Sequence, residues 1–286
     1  MAHKKIEELD LIAKKELEKI QGKELTNKDR MAIPQMEMPS REPKERSRQM
    51  AEVALGYTET QAVVEASRCL QCKNMPCIAG CPVGVKIPQF IAKIAEKDFK
   101  GAVDTIKETS LLPAICGRVC PQEKQCQGQC TVGKVFKSAE KAVSIGRLER
   151  FVADWERENN KVTMPEIAKK TGKKVAVIGA GPAGLTVAAD CARAGHQVTV
   201  FEAFHKAGGV MMYGIPEFRL PKAIVQNEID NLKKMGVEFD FNFLVGRTNT
   251  LDQLLEEKNF DAAFVGTGAG LPKFMKLPGE NLIGAF

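Results

Sequence analysis

Residues 69–82 of the chain have the sequence CLQCKNMPCIAGCP, and residues 116–130 have the sequence CGRVCPQEKQCQGQC. These two stretches hold eight of the nine cysteines, four in each stretch. Within each stretch a cysteine recurs every three to six residues, and a proline directly follows Cys81 and Cys120. Because thiols at this density supply several ligands to one place, the pattern predicts a metal-binding domain organised around the cysteines.

The spacing of the cysteines favours iron–sulfur clusters over two other uses. The first group has the form C-x2-C-x4-C-x3-C-P, close to the bacterial ferredoxin form C-x2-C-x2-C-x3-C-P, whose fourth cysteine serves a second cluster. Structural zinc, which uses C-x2-C pairs separated by a longer loop, is one alternative. Disulfides are the other, but nothing at the N-terminus resembles a secretion signal. We therefore expect a cytoplasmic protein, in which disulfides are rare.

The composition limits the class of protein further. A length of 286 residues suggests about two domains. Hydrophobic residues make up 44% of the chain, and no apolar run approaches the ~18 residues needed to cross a bilayer. The net charge is +6, but the charges are mixed and only 6% of residues are aromatic. We therefore expect no membrane insertion and no nucleic-acid surface, whereas an acidic redox partner is compatible with this charge.

The segments around the cysteines are predicted to be helical. Residues 1–45 are predicted to form a charged helical arm and a proline-containing linker. Thr58-Glu59-Thr60-Gln61 has the pattern of a capping box and predicts a helix that leads to Cys69. Two amphipathic helices are predicted to begin at Ile87 and at Phe99, between the two cysteine groups. These patterns together predict a small α-helical domain that holds two clusters.

A further helix is predicted over residues 139–158. It carries Glu149 on a strip of small residues, which would allow a close approach to a buried neighbour. The periodicity alone favours a simpler interpretation, in which Glu149 is a surface glutamate paired with Arg147 or Arg150.

A second domain is predicted to begin near Lys173. A buried strand over Val175–Ile178 is followed by the sequence GAGPAG at 179–184, a helix, and a second strand that ends at Glu202. This is the G-x-G-x-x-G fingerprint, with an acid 18 residues after its last glycine. The glycines allow the backbone to approach a pyrophosphate at the helix N-terminus, and Glu202 is placed to accept from ribose hydroxyls. The residues predict a dinucleotide, either FAD or NAD(P).

Together these motifs resemble the small-subunit family of bacterial NADPH-dependent glutamate synthase. The architecture is also similar to the large subunit of NADH-dependent reduced ferredoxin:NADP oxidoreductase and to the N-terminal part of dihydropyrimidine dehydrogenase. The resemblance covers roughly residues 30–286. The motifs that carry it are LGYT (55–58), RCLQC (68–72), PAICGRVCPQE (113–123), IGRLERF (145–151) and GGVMMYGIPEFRLPK (208–222).

The resemblance implies a crossed assignment of ligands to two [4Fe-4S] clusters. It assigns one cluster to Cys69, Cys72, Cys77 and Cys130. It assigns the other cluster to Cys81, Cys120, Cys126 and the carboxylate of Glu149, which reverses the surface interpretation of that glutamate. Cys116 is then a spare cysteine beside the clusters.

For the second domain the resemblance implies FAD. The residues implied to bind it are Gly179, Ala180, Gly181, Pro182, Ala183, Gly184, Glu202, Gly208, Gly209, Val210, Arg219 and Val245. No general acid or base is nominated, since the cofactors supply the chemistry.

The predicted fold is an α-helical two-[4Fe-4S] domain (46–165) after the arm and linker (1–45). An α/β Rossmann-like FAD-binding domain (166–286) follows, which we expect to be incomplete at its C-terminus and to lack the NAD(P)H domain. The resemblance implies an electron-input subunit that passes electrons from NAD(P)H through FAD and the clusters to a second oxidoreductase subunit. That partner is a glutamate synthase large subunit or, in the alternative, a ferredoxin- and NAD-linked flavoprotein subunit. A non-enzymatic metal- and dinucleotide-binding module is the alternative of another class.

Overall fold

The computed structural model describes residues 3–270, 273–280 and 282. The chain divides into two compact units, residues 1–165 with 214–231 and residues 166–213 with 232–286. Both cysteine groups belong to the first unit, and the glycine fingerprint belongs to the second.

The α-helices are α1 Ile6–Ile20, α2 Asn27–Ala32, α3 Pro43–Arg46, α4 Glu59–Ser67, α5 Pro76–Ala79, α6 Ile87–Ala95, α7 Phe99–Lys107, α8 Pro113–Val119, α9 Thr131–Val135, α10 Ile145–Glu158, α11 Pro182–Arg193, α12 Val210–Tyr213 and α13 Lys222–Lys234.

The helices α6 and α7 form the centre of the first unit, as their hydrophobic periodicity predicts. Phe90, Ile91 and Ile94 of α6 are almost completely buried, and Ile106 of α7 packs into the same core. Pro88 lies in the first turn of α6, where its missing N–H costs nothing. Leu148 of α10 completes this core from a third helix. The two predicted amphipathic helices are therefore confirmed, and they separate the two cysteine groups along the chain.

The capping box before α4 is also present. The Thr58 side chain accepts from the backbone N–H of Gln61, and the Gln61 side chain accepts from the N–H of Thr58. Helix α1 packs against α4, and Leu9 and Ala13 of α1 are buried. The segment predicted as an arm thus shares the core of the first unit, because its apolar stripe has α4 to pack on.

Helix α10 begins at Ile145, six residues later than the sequence pattern suggests. Residues 139–141 form a separate 3₁₀ turn. The carbonyl oxygen of Ala142 accepts from the side chains of Gln35 and Arg68, both at 3.0 Å. Because that carbonyl is used by other segments of the chain, the backbone at Ala142 is extended and the helix starts only after it.

The second unit is built on a parallel sheet. Its strands are β1 Lys174–Ile178, β2 Gln197–Glu202, β3 Glu238–Phe241 and β4 Ala262–Val265, in the spatial order β3-β2-β1-β4. All three strand pairs are parallel, and Val177 at the centre is opposite Val200 of β2 and Phe264 of β4. This is the order of the first half of a Rossmann-like sheet, in which ligands bind beyond the carboxyl ends of the central strands.

Candidate iron–sulfur and flavin sites

The first group of thiols lines one pocket in the first unit. Cys69 follows the end of α4, Cys77 lies in the short helix α5, and Cys130 directly precedes α9. The pocket wall is otherwise apolar, with Ile87, Pro88 and Ile91 of α6 among its residues. The residues that line it include Cys69, Cys72, Cys77 and Cys130. The structure therefore brings together the four cysteines of the first predicted ligand set, although they come from both cysteine stretches.

The surroundings of two of these thiols, Cys69 and Cys77, disfavour a negative charge unless a cation is present. Burial, together with the neighbouring sulfurs of Cys130 and Cys72, raises the pKa of the Cys69 thiol to about 11. Burial and the sulfurs of Cys69 and Cys130 raise the pKa of the Cys77 thiol to about 12. Such a dry, electron-rich pocket suits a cationic iron–sulfur core, which compensates the thiolate charges that the pocket itself does not.

A second group of acidic side chains lies in the same unit. Burial is the largest factor that raises the pKa of the Cys126 thiol, to about 12, and the charges of Glu149, Cys81 and Cys120 add to it. Burial and the Cys120 sulfur raise the pKa of the Glu149 carboxyl to about 8. These four residues are the second predicted ligand set; three of them act on Cys126, and Cys120 also acts on Glu149.

Close packing of α8 and α10 directs Glu149 toward the cysteines. A Cβ atom on Gly117 of α8 would lie 2.5 Å from the backbone nitrogen of Arg150. A Cβ atom on Gly146 would lie 1.6 Å from Nε2 of Gln122, two residues after Cys120, and would displace the end of that side chain. At position 117 the collision is with the backbone of α10, so glycine is required there. The glycine of α8 therefore allows α10, which carries Glu149, to approach the second cysteine stretch.

The two arginines that periodicity offered as partners of Glu149 are engaged elsewhere. Arg147 donates to the backbone oxygen of Met36 at 3.2 Å. Arg150 forms ion pairs with Glu52 at 3.0 Å and with Asp154 at 3.2 Å. The structure thus engages both arginines with other partners and leaves Glu149 half-buried, which favours the ligand interpretation over the surface one.

Cys116 is close to the second group. Its thiol is hydrogen-bonded to Cys120, which lowers the pKa of the Cys120 thiol. Ser110 Oγ lies 4.0 Å from Cys116 Sγ on the other side. Cys116 therefore lies next to Cys120, a predicted ligand of the second cluster, and is not among the residues that line the pocket of the first thiol group.

The arrangement of the described donor side chains does not suit a single metal ion. Within residues 3–270, 273–280 and 282, no three His, Cys, Asp or Glu side chains converge in the way that one metal ion requires. A [4Fe-4S] cluster makes a different demand, because each ligand binds a different iron at a separate corner of the cluster. The donor sets fit a cluster in number and chemistry, with four thiols in one group and three thiols with a carboxyl in the other.

The glycine fingerprint of the second unit forms a tight turn between β1 and α11. A Cβ atom on Gly179 would lie 2.5 Å from the Gly266 oxygen, and one on Gly184 would lie 1.9 Å from the Gly179 oxygen. Gly181 differs, since a Cβ atom there would meet nothing within 4 Å. Open space at Gly181, at the N-terminus of the twelve-residue helix α11, suits the approach of a pyrophosphate.

Glu202 ends β2 and is buried beside this turn. Its Oε2 accepts from the N–H of Ala180 at 2.8 Å, and its Oε1 accepts from the N–H of Phe204 at 2.9 Å. The carboxylate thus holds the glycine turn against the end of β2. Each oxygen keeps a further lone pair that can accept from a ribose hydroxyl.

The remaining predicted flavin residues lie in several places. Gly208 donates from its N–H to the Ala180 oxygen at 2.8 Å, and a Cβ atom on Gly209 would lie 2.8 Å from Cα of Gly181. Val210 begins α12 and is exposed. Val245 packs against the core of the second unit. Arg219 is exposed and belongs to segment 214–231 of the first unit, so the structure groups the other residues without it.

One contact of the first thiol group was missed in the sequence. Thr131 lines the same pocket, and its Oγ1 lies 3.3 Å from Cys72 Sγ. The two residues are 59 positions apart. The only signal for this contact was the position of Thr131 directly after a predicted ligand.

Comparison with known proteins agrees with both halves of this picture. Residues 46–161 match the family described as dihydropyrimidine dehydrogenase domain II, 4Fe-4S cluster. Residues 173–285 match the pyridine nucleotide-disulphide oxidoreductase family. Both halves of the chain are therefore those of iron–sulfur flavoprotein oxidoreductases, and relatives named glutamate synthase small chain and dihydropyrimidine dehydrogenase subunit match it about equally well. The resemblance that the motifs indicated is thereby confirmed.

Three curated relatives illustrate this family. The NAD-dependent dihydropyrimidine dehydrogenase subunit PreT of Escherichia coli (strain K12) is 42% identical over 225 residues, which cover 78% of this chain and 53% of PreT. The glutamate synthase [NADPH] small chain of Halomonas elongata is 38% identical over 255 residues, 86% of this chain and 51% of the relative. The corresponding small chain of E. coli (strain K12) is 38% identical over 236 residues, 82% of this chain and 49% of the relative.

The two matched domains are of the kinds that carry 4Fe-4S clusters and FAD, so the prediction of these cofactors is confirmed. The chain spans about half the length of the curated relatives that it matches. In the described part of the chain, no helix is both long enough and apolar enough to cross a bilayer.

Proposed function

We propose that this chain is the electron-input part of an NAD(P)H-dependent iron–sulfur flavoprotein. The observation that carries the proposal is the pairing, in one chain, of two four-membered ligand groups with a glycine turn at the carboxyl end of a parallel sheet. Thiol clusters alone are compatible with structural metal. Their combination with a dinucleotide fold favours a path for electrons between two kinds of cofactor.

The proposed ligands of the first cluster are Cys69, Cys72, Cys77 and Cys130, and those of the second are Cys81, Cys120, Cys126 and Glu149. The shared pocket of the first four, and the electrostatic influence of Cys81, Cys120 and Glu149 on Cys126, support this assignment. A carboxylate in place of one thiolate gives the second cluster a harder ligand, which alters its potential.

In the second unit, residues 179–184 with Glu202, Gly208, Gly209, Val210 and Val245 are proposed to hold FAD, and Arg219 to contact it. The open position at Gly181 supports a pyrophosphate over the N-terminus of α11. Glu202 orients the turn through Ala180 and offers an acceptor to the ribose. Bound FAD and the clusters supply hydride acceptance and single-electron transfer, respectively.

The partner is proposed to be a second oxidoreductase subunit, most simply a glutamate synthase large subunit. A dihydropyrimidine dehydrogenase subunit is a second candidate, favoured by the 42% identity to PreT. A ferredoxin- and NAD-linked flavoprotein subunit is a third. Co-purification of the native partner separates them, since an amidotransferase subunit identifies the glutamate synthase system and excludes the others.

The experiment that tests the function is anaerobic purification followed by measurement of iron, sulfide and flavin on one sample. We expect about eight irons, about eight acid-labile sulfides and about one FAD per chain. Zinc without sulfide would support the non-enzymatic binding module and would contradict electron transfer. Iron and sulfide without flavin would contradict the proposal for the second unit alone.

A further inference from the structure

Thr131 and Cys72 form a hydrogen bond at the edge of the first thiol group. The Cys72 thiol donates to Thr131 Oγ1 at 3.3 Å, and both residues line the same pocket. Thr131 is the first residue of α9 and directly follows Cys130. Its side chain therefore extends from beside one proposed ligand to the sulfur of another.

The direction of this hydrogen bond reverses when Cys72 binds iron. A coordinated cysteine is a thiolate, which has no hydrogen to donate and accepts instead. A threonine hydroxyl is both donor and acceptor and can rotate its hydrogen toward the sulfur. The contact is thus retained, with Thr131 as the donor, and no backbone movement is needed.

The surroundings strengthen such a bond. The other residues of the pocket wall are mainly apolar and include Leu70, Ile91, Val132 and Val143. In a medium of low dielectric, a hydrogen bond to a charged acceptor is stronger than in water. Threonine is branched at Cβ, which restricts its χ1 angle and limits the positions that its hydroxyl can adopt.

We propose that Thr131 is a positioning residue that raises the reduction potential of the first cluster through its hydrogen bond to the Cys72 sulfur. One-electron reduction adds one negative charge to the cluster and its thiolates, while the hydroxyl keeps its hydrogen. Because the donor stabilises the more negative state more strongly, it favours reduction. This inference rests on the proposed function, in that Cys72 must be an iron ligand.

The test compares Thr131→Val with Thr131→Ser in the full chain, purified anaerobically. Valine keeps the shape of threonine and removes the hydroxyl, whereas serine keeps the hydroxyl. The matched control is Thr105→Val, which removes a buried hydroxyl that donates to the Gly101 oxygen in α7, away from the cysteines. The measured quantity is the reduction potential of each cluster, from redox titration monitored by electron paramagnetic resonance, with iron and sulfide counted on each sample.

We expect the valine variant to keep its iron and sulfide and to lower the potential of one cluster only. The expected change is up to about tenfold in the ratio of reduced to oxidised cluster at a fixed applied potential, which is about 59 mV for one electron. Thr131→Ser and Thr105→Val should leave both potentials at the wild-type values.

Two results would overturn the inference. One is a fully loaded valine variant with both potentials unchanged. The other is loss of one cluster in Thr131→Val but not in Thr131→Ser or Thr105→Val, which would assign the hydroxyl to cluster retention. Neither result affects the proposed function, whose iron–sulfur part is contradicted only if the wild-type chain itself lacks iron and sulfide.

Discussion

Arg68 donates a 2.6 Å hydrogen bond to Glu65, three residues earlier, and both side chains are almost completely buried. Glu65 also accepts from the N–H of Met36 and of Ser144. Arg68 directly precedes Cys69 and donates to the Ala142 oxygen. This buried pair therefore fastens the first cysteine stretch to the segment that follows the second.

Glu65→Ala should destabilise the first unit strongly. It leaves the Arg68 cation buried without its carboxylate, a loss of about 3–5 kcal/mol. At roughly 2–4 °C per kcal/mol for a unit of this size, the midpoint of thermal unfolding should fall by about 6 to 20 °C. The measurement is loss of cluster absorbance on heating at one scan rate.

The control for this variant is Lys19→Ala. It breaks the ion pair with Glu16, which has the same three-residue spacing but lies on the exposed face of α1. An exposed pair contributes at most about 1 kcal/mol, so the midpoint should hardly move. Equal shifts in the two variants would show that burial is not what makes the Glu65–Arg68 pair important.

Glu149→Cys should change the electron paramagnetic resonance signal and the potential of one cluster and leave the other as in wild type. The substitution exchanges the carboxylate for a fourth thiolate beside Cys120 and Cys126. Iron and sulfide content should stay at about eight each. Identical signals for both clusters before and after the substitution would remove Glu149 from the ligand set.

Cys116→Ser should retain both clusters. The hydroxyl still donates to the Cys120 sulfur, as the thiol does, and Cys116 is not among the proposed ligands. Iron and sulfide counts on the anaerobic protein measure the outcome. A loss of about four irons would mean that Cys116, and not Glu149, completes the second set.

The sequence was sufficient to predict those helices whose defining residues are close together in the chain. The periodicity of α6 and the capping box at Thr58 are local patterns, and both predicted their helices correctly. The surroundings of Glu149 depend on the close approach of Gly117 in α8 to the backbone of α10, and no local pattern encodes that approach. The contact between Thr131 and Cys72 joins residues 59 positions apart, so only the folded chain reveals it.

Two glycines of the fingerprint should respond differently to substitution by alanine. Gly184→Ala introduces a Cβ atom 1.9 Å from the Gly179 oxygen, so the turn must shift and stability should fall with flavin binding. Gly181→Ala meets open space in the protein and should fold normally, but its methyl group occupies the proposed pyrophosphate position. We expect the FAD affinity of Gly181→Ala to fall about tenfold or more, equivalent to about 1.4 kcal/mol, at an unchanged unfolding midpoint. Titration with FAD followed by its fluorescence gives the affinity, and full affinity in Gly181→Ala would contradict the assignment.

Glu228 on α13 should make the stability of the first unit depend on pH. Burial raises the pKa of its carboxyl to about 7, and Glu156 adds to the rise, while Lys107, Arg157 and a hydrogen bond from Asn231 oppose it. From the ordinary carboxyl pKa near 4.5 up to pH 7, the folded state keeps a proton that the unfolded state has lost. Stability therefore falls as pH rises through this window.

Glu228→Gln removes this dependence. Between pH 5 and pH 7 the wild-type unfolding midpoint should fall relative to that of the variant, and at pH 8 the variant should be more stable by at most about 3 kcal/mol. Glu18→Gln, at an exposed position of α1, controls for the loss of one surface charge and should follow wild type. If Glu228→Gln were less stable than wild type at pH 8, the carboxylate would be stabilised by Lys107 and Arg157 more than it is penalised by burial.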